Sequence, residues 1–241
     1  MPTVPYYAAD GRTRLPSVTT VLSTGLGGYS KDALIHWAWK LGMEGVDYRE
    51  KRDKAANAGT VAHAMIENYL NGKPISKGIE IDDDTILEPA GIAFKAFRSW
   101  HREHDIHVVK QETSLTDHEH GFGGTFDALL DLNGVLTLAD WKTSSDIYGS
   151  YVAQVGAYHQ LIKANLPARF HPTQAVIVKV SKDGDLRVVE LDTDAIALGW
   201  DVFQAALRVY TARKPLDALV AKPSAARTAI QLPTATRKAT A

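Results

Sequence analysis

The run LTLADWK, residues 136–142, alternates two apolar side chains and then two charged ones. Side chains on a strand point to opposite faces in turn, so Leu136, Leu138, Asp140 and Lys142 share one side. The two leucines mark that side as the buried one. A buried charge is costly unless it is paired or bound to a metal. Asp140 and Lys142 therefore either neutralise each other at the rim of a sheet or serve a cation there. Upstream, GFGGTFDALLDL puts Asp127 on the face of Leu129, and the Asn133-Gly134 turn makes this strand an antiparallel partner of the next. Carboxylates on adjacent strands repel unless a cation lies between them. With no cysteine in the chain, oxygen donors point to Mg²⁺ or Mn²⁺ rather than zinc. Gly121, Gly123 and Gly124 free space beside Asp127, for a bulge or for the close approach of a nucleic-acid backbone.

Other candidates stand further off. Glu112 is a third carboxylate on a neighbouring strand, either an exposed strand residue or part of the site. Gly59 and His63 lie one helical turn apart in GTVAHAM; His63 is either a core histidine or a contact to the metal. Gln154 and Tyr158 are an i, i+4 pair and project from one helix face, as a polar stripe or as phosphate and base contacts. Thr143 follows the lysine directly and is a candidate for touching DNA. Lys31, His36, Trp37, Trp39 and Lys40 combine basic and aromatic groups as single-strand stacking sites do, although tryptophans at this spacing also serve as core. Lys51, Arg52 and Lys54 are candidates for tracking phosphates. His101, His104, His107, His118 and His120 invite a zinc reading, but spacing by three does not carry through a helix–strand junction.

These side chains need elements to hold them. Periodicity predicts helices after a Ser30 cap (KDALIHWAWKLGMEG), over 55–70, 85–104 and 150–164, and a long final one over 194–213. Strands are predicted over 107–115, 122–132, 135–143, 175–180 and 186–191. The segment through Pro16 reads as an irregular entry, VTTVLS as a short apolar run, and 48–54 as a polar stretch. The expected architecture is one α/β domain over residues 1–221 with a central mixed sheet flanked by helices. From Lys222 the chain holds four basic residues and no acid, and is expected to be a flexible basic tail. Net charge is −1, so any positive surface must be local. The N-terminus lacks the layout of a signal peptide and no apolar run reaches membrane-spanning length, so a soluble cytoplasmic protein without membrane contact is expected.

Taken in order, G-x-x-x-H (Gly59, His63), Glu112, G-x-x-D (Gly124, Asp127), D-x-K (Asp140, Lys142) and Q-x-x-x-Y (Gln154, Tyr158) resemble the PD-(D/E)XK nucleases. The likeness is to the RecB-like branch, with its mitochondrial genome maintenance and CRISPR-associated adaptation nucleases, and covers roughly Ser17 to Tyr158. PSVTTVL also looks like the entry segment of the mitochondrial enzyme. The resemblance implies a restriction-endonuclease-like core and a Mg²⁺- or Mn²⁺-dependent deoxyribonuclease. Asp127 and Asp140 would bind the metal, together with the Ala139 or Trp141 carbonyl and His63. Lys142 would be the lysine of the motif and Glu112 the acidic residue before it, while Gln154 and Tyr158 would orient the site and strand. Phe126 stands where the family usually has proline, and without cysteines no iron–sulfur cluster is expected. DNA with free ends or single strands is the implied substrate, in recombination, repair or replication, with a partner protein from such a process and the host cytoplasm as setting if a phage encodes the chain. The rival expectation is a non-catalytic DNA-binding or scaffold protein derived from such a fold.

Overall fold

The computed structural model describes residues 4–27 and 31–221. Ser30, the side chain of Lys31 and the basic tail from Lys222 lie outside the described residues. A two-stranded ribbon, β1 (Tyr6–Tyr7) with β2 (Arg14–Leu15), replaces the irregular entry expected there. Ser17 then caps α1 (Val18–Gly25) by accepting from the Thr20 amide, which turns the apolar run VTTVLS into a helix. Next come α2 (Lys31–Met43), α3 (Tyr48–Leu70) and α4 (Asp84–Arg102). The polar stretch 48–54 is the exposed start of α3, capped by Asp47, whose carboxylate accepts from Arg49 N. It reads as loop because its apolar periodicity starts only at Ala58, where α3 meets the rest of the protein.

A five-stranded sheet follows in the order β3 (Ile106–Asp117), β4 (Phe122–Leu132), β5 (Val135–Lys142), β6 (Gln174–Val180), β7 (Leu186–Leu191). The β5–β6 pair is parallel and the other pairs are antiparallel, with α5 (Gly149–Asn165) as the crossover. The last element is α6 (Thr193–Ala221). The expected α/β architecture with a mixed sheet flanked by helices is therefore what is observed.

Each face of the sheet has its own core. One packs Phe122, Phe126, Leu129, Leu138 and Ile177 against α1, α5 and α6; the other packs Ala128, Leu130, Ala139, Trp141 and Val176 against α3 and α4. The hydrophobic effect on both faces explains why β6, AVIVKV, is a continuous buried run rather than an alternating one. The alternation on β4 breaks at one place. Phe126 and Leu129, three apart, face the same core, while Ala128 faces the other. Opposite this break Glu112 adopts φ +42°, and the register passes from Gln111–Ala128 to Thr113–Phe126 without a Glu112–Asp127 pair. The long β3–β4 hairpin thus has a kink in its alternation at Glu112 and Asp127, apart from the register shift between Val108 and Lys110. No helix of the described residues is long and apolar enough to cross a membrane.

Candidate metal centre

The β4–β5 ladder stops at Ala128–Ala139. One step further on, the Asp127 carboxylate takes the place of the missing ladder partner: its Oδ2 accepts from Trp141 N at 2.7 Å. Its other oxygen lies 3.8 Å from His63 Nδ1. Glu112 completes the cluster, and among the described residues this is the group of three or more potential ligands whose donor atoms lie within 4.8 Å of one another. The five histidines of the zinc reading do not converge on such a group. His104 bonds the Trp100 carbonyl, His107 faces Asp105, and His120 is bound to Asp117.

Asp127 does not simply share the face of Leu129, because the kink breaks the alternation on which that expectation rests. Gly123 and Gly124 open space for the protein itself rather than for nucleic acid. A Cβ at Gly123 would sit 2.3 Å from the Tyr6 ring, and one at Gly124 would sit 2.9 Å from both Tyr158 and Val18. Gly59 has a comparable purpose in α3. Its missing side chain would lie 2.6 Å from Thr143 Oγ1, so the helix can rest on the end of β5 and bring His63 to Asp127.

Asp140 lies on the α5–α6 side of β5, 1% exposed, and outside the three-ligand group. Lys142 Nζ stands 2.5 Å from its Oδ2, whereas its Oδ1 is buried without a hydrogen-bond partner. The Lys142 contact engages Oδ2 and leaves Oδ1 open, and an open buried acceptor is what a carboxylate suited to a cation presents. Burial, reinforced by the nearby Asp127 charge and opposed by Lys142, pushes the Asp140 carboxyl up to about 7. Burial also pushes Glu112 up to about 8, with the charges of Asp127 and Glu67 adding to the effect. Burial works to strip the proton from Lys142, but Asp140 and Asp127 outweigh it, and its pKa rises. Burial holds His63 below its ordinary pKa despite the Asp127 charge and the Trp141 carbonyl beside it. The imidazole is therefore neutral near pH 7 and free to act as a ligand. The Trp141 indole, by contrast, is buried against Phe97 and Trp100, so only its backbone reaches the site.

Glu67, one turn beyond His63 on α3, was not singled out by the sequence, although its i, i+4 spacing from a candidate ligand was the available signal. Tyr158 is buried and accepts from Gln154 Nε2 at 2.8 Å, so of this pair only the half-buried Gln154 offers surface to a ligand. Burial, with the charges of Asp140 and Asp127, raises the Tyr158 phenol well above its usual value. Thr143 is half-buried against Gly59. On α2, Trp37 packs edge-on to Tyr48, whereas Trp39 is 60% exposed beside His36 and Lys40 is exposed.

Neither a protein-family model nor a curated protein matches the chain. Among solved structures, a provisionally named exonuclease of Eubacterium rectale is similar over 64% of this chain and 68% of its own, at 13% identity and a TM-score of 0.43. LHK-Exo, solved in complex with dAMP, is similar over 69% of this chain and 96% of its own, at 18% identity and a TM-score of 0.33.

Proposed function

We propose that this protein is a divalent-metal-dependent deoxyribonuclease of the PD-(D/E)XK type, in its RecB-like branch, acting on DNA ends or single strands. One observation carries the reading. His63, Glu112 and Asp127, far apart in sequence, meet within ligand distance of one another at a kinked strand pair. Directly beside them on β5 stands a buried Asp140–Lys142 pair in which Asp140 Oδ1 has no hydrogen-bond partner. The order of these residues along the chain is the second support.

The donor set fits Mg²⁺ or Mn²⁺, being rich in oxygen and free of sulfur. A divalent ion, when bound, supplies an acidified water and neutralises charge on a phosphodiester. Asp127, Glu112 and His63 would hold it, with Asp140 and the Trp141 carbonyl completing the set. Asp127 is oriented by the Trp141 amide, and His63 is kept neutral by burial. Lys142 keeps its proton beside two carboxylates, which suits an ammonium that orients water and stabilises charge developing on the phosphate, rather than a base. Thr143 and Gln154 border the site and would meet the strand, with Tyr158 holding Gln154 from behind. Lys40 and the α2 tryptophans would contact DNA further out, Trp39 presenting the open ring that Trp37 does not. Recombination, repair or replication in the cytoplasm, with a partner protein from that process, is the setting we propose.

The test is digestion of end-labelled linear single- and double-stranded DNA beside a circular single strand, in Mg²⁺, Mn²⁺ or EDTA, with wild type and Lys142→Ala. Metal-dependent loss of the linear strands alone, absent in the variant, is the expected result. Cutting of the circle would make the enzyme an endonuclease. No cutting in either metal would favour the binding or scaffold reading.

A further inference from the structure

Lys179 on β6 is the register partner of Lys142 and shares the side of Ile177, toward α5 and α6. Two ammonium groups on neighbouring strands repel unless each is held by its own anion. Lys142 has Asp140; Lys179 Nζ lies 2.5 Å from Asp185 Oδ2. This second pair is lopsided, because the lysine side chain is 4% exposed and the aspartate 64%. An apolar side chain of similar length would fill the same space without desolvating a charge. What the ammonium adds is a bond that such a residue cannot make: it donates to the Ser145 carbonyl at 3.2 Å.

Ser145 lies in the segment that follows Lys142, and further contacts lead back from it to the site. Ser145 Oγ is 3.4 Å from the Tyr148 hydroxyl, and the Tyr148 ring stands edge-on to Tyr151 at 5.5 Å. The Tyr151 ring in turn lies under Lys142 Nζ at 4.9 Å. A second cation, Arg187, reaches the same segment through Asp146 at 2.8 Å, but both partners are more than half exposed. Exposed pairs of this kind contribute about 0–1 kcal/mol, so the buried tether dominates.

We propose that Lys179 is a positioning residue for Lys142. It clamps residues 143–148 through the Ser145 carbonyl and so keeps the Tyr148–Tyr151 pair against the Lys142 ammonium. For its activity readout this rests on the nuclease reading; for its chemical readout it does not. The experiment uses the full chain as wild type, Lys179→Met, Lys179→Arg and Arg187→Met. Competitive acylation with acetic anhydride across pH, read by mass spectrometry, separates the pKa of Lys142 from its accessibility. In parallel, Mg²⁺-dependent cleavage of a labelled single strand gives kcat and KM, and calorimetry gives Mg²⁺ affinity.

In Lys179→Met we expect Lys142 accessibility to rise about threefold or more and kcat to fall about tenfold, with KM and Mg²⁺ affinity changing less than about threefold. Lys179→Arg should recover most of the loss, and Arg187→Met should behave as wild type. Since Asp185 is solvated, removing the ammonium leaves no buried orphan charge, and the Met variant is expected to fold. Unchanged Lys142 accessibility in that variant overturns the proposal whatever the activity. So does a loss of Mg²⁺ affinity that matches the loss of kcat, or a failure of arginine to restore. A wild type that cuts nothing, with Lys142 labelling shifted as expected, sinks the nuclease reading and supports this one.

Discussion

Asp140 and Lys142 form a pair whose two members are not equivalent. Lys142 stays charged, whereas Asp140 can take up a proton near neutrality. Removing the lysine strands a buried carboxylate, and breaking such a pair costs about 3–5 kcal/mol. We therefore expect Lys142→Met to lower the unfolding free energy markedly at pH 8 and less at pH 6, where Asp140 can neutralise itself. The double variant Asp140→Asn with Lys142→Met should recover much of that stability while cutting no DNA. Urea unfolding of both proteins at the two pH values checks this. Equal stability of the single and double variants would show that Asp140 is not held as a buried charge.

At the scale of elements, the site is assembled by a helix resting on a strand end and by a kinked hairpin. Gly59 lets α3 approach Thr143, although glycine in a helix interior costs about 1 kcal/mol relative to alanine. Gly59→Ala should accordingly lower Tm in the wild-type background and raise it in a Thr143→Ala background, where the obstructing hydroxyl is gone. Thermal unfolding of the four proteins reads the sign directly. The kink behaves in the opposite sense. Glu112 sits at φ +42°, a region where a side chain costs about 1–3 kcal/mol and glycine little. Glu112→Gly should stabilise the metal-free fold relative to Glu112→Ala, while both lose Mg²⁺ affinity. A Gly variant no more stable than the Ala variant would show that the backbone there is not strained.

For the whole molecule, the cluster of carboxylates couples stability to pH and, on the proposed reading, to metal. The folded pKa values of Glu112 and Asp140, about 8 and about 7, lie above their ordinary values of 4.5 and 3.8. Between those limits the folded state binds more protons than the unfolded one, so stability falls as pH rises from about 4 to about 8. On the proposed reading a divalent ion would replace those protons, so its affinity should increase over the same window and its binding should release protons. Calorimetry in buffers of different ionisation enthalpy measures the proton count, and Tm with EDTA or Mg²⁺ measures the coupling. A metal-induced rise in Tm that is larger at pH 8 than at pH 6 is the expected outcome. An equal rise at both pH values would mean that the carboxylates are already ionised in the metal-free protein.

Much of the architecture could be read from local pattern alone. Apolar runs bounded by turn residues, alternating or, on β6, continuous, marked β4, β5, β6 and β7 to within a residue, because half-buried and buried strands write their burial into composition. The Asp140–Lys142 pair was legible for the same reason: strand alternation makes i and i+2 neighbours wherever the strand lies. The start of α3 was not, since a solvent-exposed helix carries no apolar period, nor were the short β1–β2 ribbon and α1. The resemblance already assigned His63 and Glu112 to a site with Asp127; that their donor atoms lie within 4.8 Å of one another belongs to the tertiary structure. It depends on a kink that breaks alternation at Asp127, on a helix admitted by Gly59, and on a ladder that ends one pair early. The tether from Lys179 to the segment after Lys142 is of the same kind. Sequence determines which groups a chain can offer and on which local face; their distances are decided by long-range packing, which no local period encodes.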